Sequence, residues 1–162
     1  MNYTEQEKAF IELIQHNERL IYKVCSVYMS EALPIADLFQ EVVYNLWKGY
    51  PKFRNDCSVS TWMYRIALNT CISSLRKEGK RPVHVPINKL AEQLVEPESF
   101  EENVREMHYM IRRLKTLERA IVLLYLEEKS YQEIADITGL TVSNVAVKLN
   151  RIKEKLRIMS KN

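Results

Sequence analysis

The stretch YQEIADITGLTVSNVAVKLNRIKEKLR, residues 131–157, contains two short segments with apolar residues at helical spacing, and the segments meet at one glycine. Ser130 precedes the first segment and Glu133 follows three residues later, which is the capping-box pattern of a helix start. Gly139 can adopt the positive φ that ends a helix, and Thr141 can cap the next one. The stretch therefore predicts a helix-turn-helix.

The two predicted helices divide their side chains between an inward and an outward face. The inward positions are apolar: Ile134 and Ile137 in the first helix, and Val145, Leu149, Ile152 and Leu156 in the second. The outward positions of the second helix are Ser143, Asn144, Val147, Lys148 and Arg151. Small, polar and cationic side chains of this kind suit the major groove of DNA. The alternative is an αα-hairpin packed inside a helical bundle.

The charge of the chain is concentrated at its C-terminal end. Residues 143–162 contain six basic residues and one acidic residue, Glu154, whereas the whole chain has a net charge of only +3. A surface that contacts phosphates has this composition. A solvated C-terminal helix has it as well, so charge alone leaves both interpretations open.

Glycine and proline divide the rest of the chain into helical segments. Only three glycines and five prolines occur in 162 residues, and three of the prolines lie in the segment 79–99. This segment has weak periodicity, so we interpret 79–98 as a linker between two small helical domains, residues 1–78 and 99–162. No segment has a convincing strand pattern, so the predicted class is all-α, with the helix-turn-helix in the C-terminal domain.

Further helix starts and apolar stripes support this class. Capping boxes are predicted at Thr4/Glu7 and Ser99/Glu102, and long helices without interruption are expected between the glycine and proline breaks. The apolar positions at helical spacing are Phe10, Leu13, Ile14, Ile21, Val24 and Tyr28; Leu38, Phe39, Val42, Val43, Leu46 and Trp47; and Leu117, Ile121 and Leu124.

The sequence has none of the usual signs of a membrane protein, a secreted protein or an enzyme. No run approaches the ~20 apolar residues of a membrane span, and the first ten residues lack the apolar core of a secretory signal, so a cytoplasmic protein without membrane insertion is expected. The three cysteines, Cys25, Cys57 and Cys71, have neither disulfide-framework nor zinc-site spacing. We predict no catalytic residue, no metal, no cofactor and no small-molecule substrate.

A polar stripe lies beside the apolar face of the segment PIADLFQEVVYNLWKGY, residues 34–50. Asp37, Gln40, Glu41 and Tyr44 follow the spacing i, i+3, i+4, i+7 along one helix face. Two separate faces are typical of a helix that packs on one side and docks on the other. An ordinary solvated surface has the same pattern, so the stripe alone leaves both interpretations open.

A second polar stripe follows in FRNDCSVSTWMYRIALNTCISSLRK, residues 53–77. Its members are Arg65, Asn69, Ser73 and Arg76, and a polar loop at 54–58 precedes it, flanked by Phe53 and Trp62. Cationic and amide side chains beside an aromatic ring can hold a single strand with a splayed base. The alternative for Trp62 is packing in the core.

The order of these segments resembles the extracytoplasmic-function sigma factors of bacterial RNA polymerase, and the resemblance covers nearly the whole chain. It implies a region 2-like domain that docks on core RNA polymerase and melts and reads the −10 promoter element. It also implies a region 4-like domain that reads the −35 element, with a linker near the path of template DNA. An anti-sigma factor is implied as a further partner, beside core polymerase and promoter DNA.

The polar stripes, the outward face of the helix-turn-helix and the resemblance together assign roles to three sets of residues. The polymerase-binding set is Asp37, Leu38, Gln40, Glu41 and Tyr44. The set for the −10 element is Phe53, Arg54, Asn55, Asp56, Arg65, Asn69, Ser73 and Arg76. The set for the −35 element is Ser143, Asn144, Ala146, Val147, Lys148 and Arg151.

Two positions depart from the family pattern. Members often have a proline before the helix near Leu117, where this chain has Lys115 and Thr116, and we expect Thr116 to act as the cap instead. Ala146 and Val147 occupy positions where members commonly have Lys, Arg or Ser, so the −35 sequence cannot be copied from relatives.

A different class remains open from the C-terminal half alone. A one-component transcriptional regulator could use the same helix-turn-helix and dimerise through its N-terminal helices. Such a dimer binds a palindrome unaided, whereas a sigma factor needs core polymerase for specific binding.

Overall fold

The computed structural model describes residues 4–78 and 102–161, and these ranges form eight α-helices, one short 3-10 turn and no strand. The N-terminal helices are α1 (Glu5–His16), α2 (Glu18–Tyr28), α3 (Ile35–Gly49) and α4 (Val59–Glu78), with the 3-10 turn at Tyr50–Lys52. The C-terminal helices are α5 (Glu102–Arg112), α6 (Thr116–Leu126), α7 (Tyr131–Thr138) and α8 (Val142–Ser160). The predicted all-α class is confirmed.

The first apolar stripe belongs to two helices, because α1 ends and α2 begins at Asn17. The Asn17 side-chain amide donates to the Leu13 carbonyl at 2.9 Å. An asparagine side chain that bonds to the backbone competes with the helical hydrogen bonds. The prediction of uninterrupted helices between glycines and prolines is therefore wrong at this position.

The N-terminal core forms where α4 packs against α2 and α3. Val24 of α2, Leu46 of α3, and Met63 and Ala67 of α4 are fully buried there. Complete burial of a side chain the size of Leu or Met contributes about 1.5–3 kcal/mol, so these contacts hold the three helices in a fixed arrangement.

The helix-turn-helix has the predicted caps and turn. Ser130 and Glu133 form the capping box of α7, and Gly139 ends that helix with φ 82°. The Thr141 hydroxyl accepts a hydrogen bond from the Asn144 backbone N–H at 3.1 Å and so fixes the start of α8. The inward residues Ile134, Val145, Leu149 and Ile152 are fully buried, Ile137 is nearly so, and Leu156 is half-buried.

Three other predicted helix starts have different outcomes. The capping box of Thr4 and Glu7 is confirmed. The expectation that Thr116 caps α6 is wrong, because Lys115 occupies the N-cap and its amide donates to Glu118 Oε1 at 3.1 Å. Ser99 and the predicted linker 79–98 lie outside the described residues.

The N-terminal and C-terminal helices pack directly against each other. Helix α2 contacts α5 and α6, and α4 contacts α7. Within the described ranges, no helix is both long enough and apolar enough to span a membrane.

Candidate nucleic-acid and protein interfaces

The outward face of α8 begins at its N-terminus and contains the residues expected at the −35 element. Ser143, Asn144 and Arg151 are exposed, and Val147 is exposed over 48% of its surface. Ala146 and Lys148 are half-buried. The inward residues of the helix fix this orientation, so the face can enter a groove without any change in the packing of α7 and α8.

The basic residues of α8 differ in whether they contact other side chains of the protein. Lys155 Nζ lies 2.7 Å from Glu118 Oε2, Arg157 pairs with Glu154, and Lys153 Nζ lies 4.4 Å from the centre of the Tyr125 ring. Burial alone would raise the pKa of Glu118, but the hydrogen bonds from Lys155 and from the Lys115 amide outweigh it and lower the pKa. The carboxylate therefore stays charged and orients Lys155.

Lys148 and Arg151 have no ion pair among the residues that the structure describes. Within those ranges their charges are therefore not neutralised by a carboxylate. The C-terminal excess of charge is thus partly neutralised within the protein, and its unpaired part includes these two residues on the outward face of α8.

The polar stripe of α3 is exposed as a continuous surface. Asp37, Gln40 and Glu41 are exposed, and Tyr44 is exposed over 58% of its surface with Lys48 Nζ 4.8 Å from its ring centre. Leu38 differs from these residues, because it is only 1% exposed and lies in the core. Its side chain holds α3 in place and does not belong to the exposed surface.

A groove of about 440 Å³ runs between α3 and α4 beside this stripe. Glu41 and Tyr44 line one side, and Asn69 and Ser73 line the other. Beneath the groove, the Asn45 side-chain amide donates to the Thr70 hydroxyl at 2.9 Å and so ties the two helices together. Two residues expected at the −10 element therefore share a groove with two residues expected to bind polymerase.

The loop after the 3-10 turn exposes Arg54, Asn55 and Asp56, and Asn55 adopts a positive φ of 58°. Asparagine tolerates this conformation better than most residues. Phe53 is half-buried and stacks on Trp62, with 4.7 Å between ring centres. Trp62 thus packs within the protein, which favours the core interpretation of this side chain.

A second groove, of about 450 Å³, lies between this loop and α1. Phe53 and Asn55 line it from the loop, and Glu12 and His16 line it from α1. The sequence interpretation assigned a helix start and apolar core positions to α1, but no functional role. In the sequence, the i, i+4 spacing of Glu12 and His16 places both side chains on one polar face of the helix. That spacing was the available indication that α1 forms one wall of this groove.

Arg65 does not lie on a common surface with the other members of the second polar stripe. Its Nε and Nη2 atoms donate to the Asp136 carbonyl of α7 at 3.0 and 2.7 Å, and Nη1 donates to Cys57 Sγ at 3.7 Å. Asn69, Ser73 and Arg76 are exposed. The predicted continuous stripe is divided because α7 packs on the first half of α4.

Among residues 4–78 and 102–161, no group of three or more His, Cys, Asp or Glu side chains lies close enough together to hold an ion. Cys25 and Cys71 are free and buried, and Cys57 is free and half-buried.

Two family models match the chain. Sigma-70 region 2 matches residues 13–81, and sigma-70 region 4 matches residues 105–156, so together the two matches cover about three quarters of the chain. The first match contains α2, α3 and α4, and the second contains the helix-turn-helix.

Similar proteins point to the same family. The ECF RNA polymerase sigma-E factor of Escherichia coli strain K12 is 28% identical over 169 residues, which cover 93% of this chain and 85% of the relative. The ECF RNA polymerase sigma-E factor of Haemophilus influenzae is also 28% identical and covers 93% of this chain and 86% of the relative.

Two solved structures share the fold. The sigma factor RpoE in complex with the anti-sigma factor NepR from Bartonella quintana has a TM-score of 0.73 at 18% identity, over 95% of this chain and 98% of that one. CnrH in complex with the cytosolic domain of CnrY has a TM-score of 0.68 at 21% identity, over 96% and 89%.

These matches decide between the two classes that the C-terminal half left open. A region 2 domain is a part of sigma factors, and a one-component regulator has no need of one. The match at residues 13–81 therefore does not favour a one-component regulator. The chain belongs to the extracytoplasmic-function sigma factors of bacterial RNA polymerase and, as one of them, directs promoter-specific initiation of transcription.

Proposed function

We propose that this sigma factor docks on core RNA polymerase through the exposed polar stripe of α3. The observation that carries this proposal is the division of α3 into two faces. Asp37, Gln40, Glu41 and Tyr44 are exposed together, while Val42 and Leu46 on the opposite face are buried. A rigid helix that presents two carboxylates, an amide and an aromatic ring offers a specific surface to a protein partner.

A double charge change tests this docking surface. Replacement of Gln40 and Glu41 by Lys is expected to abolish association with core enzyme, because it reverses the charge of the stripe without touching buried residues. The matched control is Gln15→Lys with Glu18→Lys, which makes the same charge change at two other exposed helix positions. A pull-down with core enzyme measures binding, and circular dichroism checks the helical fold. Unchanged binding by the folded Gln40/Glu41 variant would refute the assignment.

We propose the following division of labour for the remaining surfaces. Residues 1–78 form the domain that binds polymerase and the −10 element, residues 79–98 form the linker, and residues 99–162 form the domain that reads the −35 element. For the −10 element, the loop at 53–56 supplies direct base contacts. The single DNA strand then runs along α4, where it contacts Asn69, Ser73 and Arg76. The groove between the loop and α1 and the groove between α3 and α4 support this path.

For the −35 element, we assign base readout to Asn144 and Lys148 and a phosphate contact to Arg151. Ser143 and Val147 are exposed beside them, whereas Ala146 is half-buried and supplies at most its methyl group. A bidentate base contact discriminates by ~1–3 kcal/mol, whereas a phosphate contact weakens all sequences alike when it is lost. Arg151→Ala should therefore lower affinity equally for every −35 variant and reduce the salt dependence of binding. Relaxed preference at one base position would instead assign Arg151 to base readout.

We also propose an anti-sigma factor as a partner. RpoE of Bartonella quintana, which shares the fold, was crystallised with the anti-sigma factor NepR. The test is co-expression with the product of the neighbouring gene, followed by core-dependent transcription with and without that product. A membrane protein with a short cytoplasmic N-terminal domain that suppresses transcription would support the proposal, and an active sigma factor in its presence would contradict it.

A further inference from the structure

The polar stripe of α3 continues beyond Tyr44 to a lysine. Lys48 lies four residues further along the same helix face and is exposed, and its Nζ atom lies 4.8 Å from the centre of the Tyr44 ring. The stripe therefore changes sign along its length, from the carboxylates of Asp37 and Glu41 to an ammonium group. The three residue sets assigned from the sequence do not contain Lys48.

Antiparallel packing of α3 and α4 determines what lies opposite each end of this stripe. At the start of α3, Asp37 and Glu41 line a cavity of about 220 Å³ together with Glu78, the last residue of α4. At the end of α3, a Cβ atom added to Gly49 would lie 3.4 Å from Ile66 Cδ1, in the first half of α4. The acidic end of the stripe thus faces the end of α4, and the cationic end faces its first half.

The groove of about 440 Å³ between α3 and α4 connects the two ends. Lys77 and Glu41 line both this groove and the acidic cavity, so their opposite charges lie close together. Asn69 lies three residues after Ile66 and well before the end of α4, so it belongs to the half of the groove that Lys48 lines. Among residues 4–78 and 102–161, no carboxylate forms an ion pair with Lys48.

The two ends of the stripe are far enough apart to bind different partners. Glu41 and Lys48 are seven residues apart, which is about 10 Å along a helix that rises about 1.5 Å per residue. The Debye length at physiological ionic strength is about 8 Å, so exposed charges at this separation act largely independently. A polyanion can therefore approach Lys48 although two carboxylates lie on the same helix.

Tyr44 restrains the side chain of Lys48. An ammonium group above a tyrosine ring is attracted by the negative face of the π system. A lysine that rotates freely loses side-chain entropy when it binds a ligand, so a lysine that is already held on a ring binds at a lower entropic cost. The ammonium group has three N–H donors, and an exposed lysine can direct them to an anion in the groove.

From this geometry we infer that Lys48 binds a phosphate group of the promoter DNA strand that Asn69 contacts, at the cationic end of the groove between α3 and α4. Phosphate contacts fix the register and orientation of DNA on a protein, and they carry no sequence information directly. Lys48 is thus a positioning residue for −10 recognition, and α3 has polymerase as the partner of its acidic end and DNA as the partner of its cationic end. The inference rests on the proposed function, which assigns Asn69 to the −10 element.

Lys48→Gln tests this contact, because it removes the charge and keeps a polar side chain. Binding of the holoenzyme is measured on two promoter fragments, one with a premelted −10 element and one with the −35 element alone. On the −10 fragment, the loss of one phosphate contact should reduce the slope of log affinity against log salt by ~0.7 for a single strand or ~0.9 for a duplex. Affinity should fall roughly tenfold in 50 mM salt and about threefold in 200 mM salt. Affinity for the −35 fragment should stay at the wild-type value.

Three further variants serve as controls. Lys48→Arg keeps the charge and should keep the wild-type salt slope. Lys8→Gln makes the same charge change at an exposed position of α1 that lines neither groove, and both fragments should bind it as they bind the wild type. Asn69→Ala should weaken binding to the −10 fragment. Circular dichroism checks the helical fold of each variant, and a pull-down measures association with core enzyme.

The possible results separate the phosphate contact from its alternatives. An unchanged affinity and salt slope in folded Lys48→Gln would overturn the inference. Weaker association with core enzyme would assign Lys48 to a carboxylate of polymerase, and relaxed preference at one −10 position would assign it to base readout, so either result also overturns it. Failure of the proposed function would look different, because Asn69→Ala would then bind the −10 fragment as tightly as the wild type does.

Discussion

Gly139→Ala isolates the energetic cost of the turn that orients α8. Gly139 has φ +82°, and a Cβ atom added there would meet no atom within 4 Å. The substitution therefore adds no clash, and its cost is the left-handed backbone penalty of about 1–2 kcal/mol. For a chain of this length, 1 kcal/mol lowers the melting temperature by about 2–4 °C, so a decrease of roughly 2–8 °C is expected.

Two further variants give this measurement its controls. Gly139→Asn should cost less than Gly139→Ala, because Asn adopts the left-handed conformation more easily. Gly49→Ala should be neutral or stabilising by up to about 1 kcal/mol, since Gly49 has a helical φ of −84° and the new Cβ would make ordinary contacts at 3.4 Å with Ile66 Cδ1 and 3.6 Å with Trp62. Thermal denaturation followed by circular dichroism measures all three. If Gly139→Ala is as stable as the wild type, the positive φ is refuted. A decrease in the free energy of unfolding well above ~3 kcal/mol would instead show that the added Cβ atom meets a neighbour.

Three other outcomes are expected. Asn69→Ala should weaken open-complex formation, measured by permanganate footprinting, more than it weakens core binding, and equal losses in both would contradict a role in −10 recognition. Replacement of thymine by uracil at each −35 position should lower transcription at one position or more, because the exposed Val147 side chain can contact only the methyl group, and indifference at every position would remove that contact. Burial and the nearby charges of Arg112 and Lys23 lower the pKa of His108, so the unfolded state binds more protons, and the free energy of unfolding should decrease as the pH falls below 6.5. His108→Gln should lose that dependence in urea titrations at several pH values, and a variant that retains it would assign the effect to another group.

The helix-turn-helix was predictable from sequence because each of its determinants is local. The capping box of Ser130, the left-handed Gly139 and the Thr141 cap all act within a few residues of their own position, and the structure confirms each of them. Apolar spacing also identified the inward face of α8, since burial on one side of a helix follows directly from a period of 3.6 residues.

Local patterns were less informative where a side chain has two possible environments. Leu38 stands beside the exposed Asp37 in sequence, and the family resemblance placed both in one binding set, yet helical geometry turns Leu38 into the core. Asn17 ends α1 through a side-chain bond to Leu13, and an asparagine in a polar stretch gives little indication of that bond beforehand. Lys115 occupies a cap position that propensities alone assign to its neighbour Thr116.

The arginine contacts between the two halves could not be predicted from either half, because their acceptors are backbone carbonyls. Arg65, Arg112 and Arg119 each donate to a main-chain oxygen of the other half, and these oxygens belong to Asp136, Ser26 and Val27. A carbonyl is present at every residue, so the sequence does not distinguish the few that end a helix beside a partner domain. Such contacts also tolerate exchange of the acceptor residue's side chain. This part of the interface therefore depends on where α2 and α7 end, and the donor arginines are positions at which substitution can loosen it.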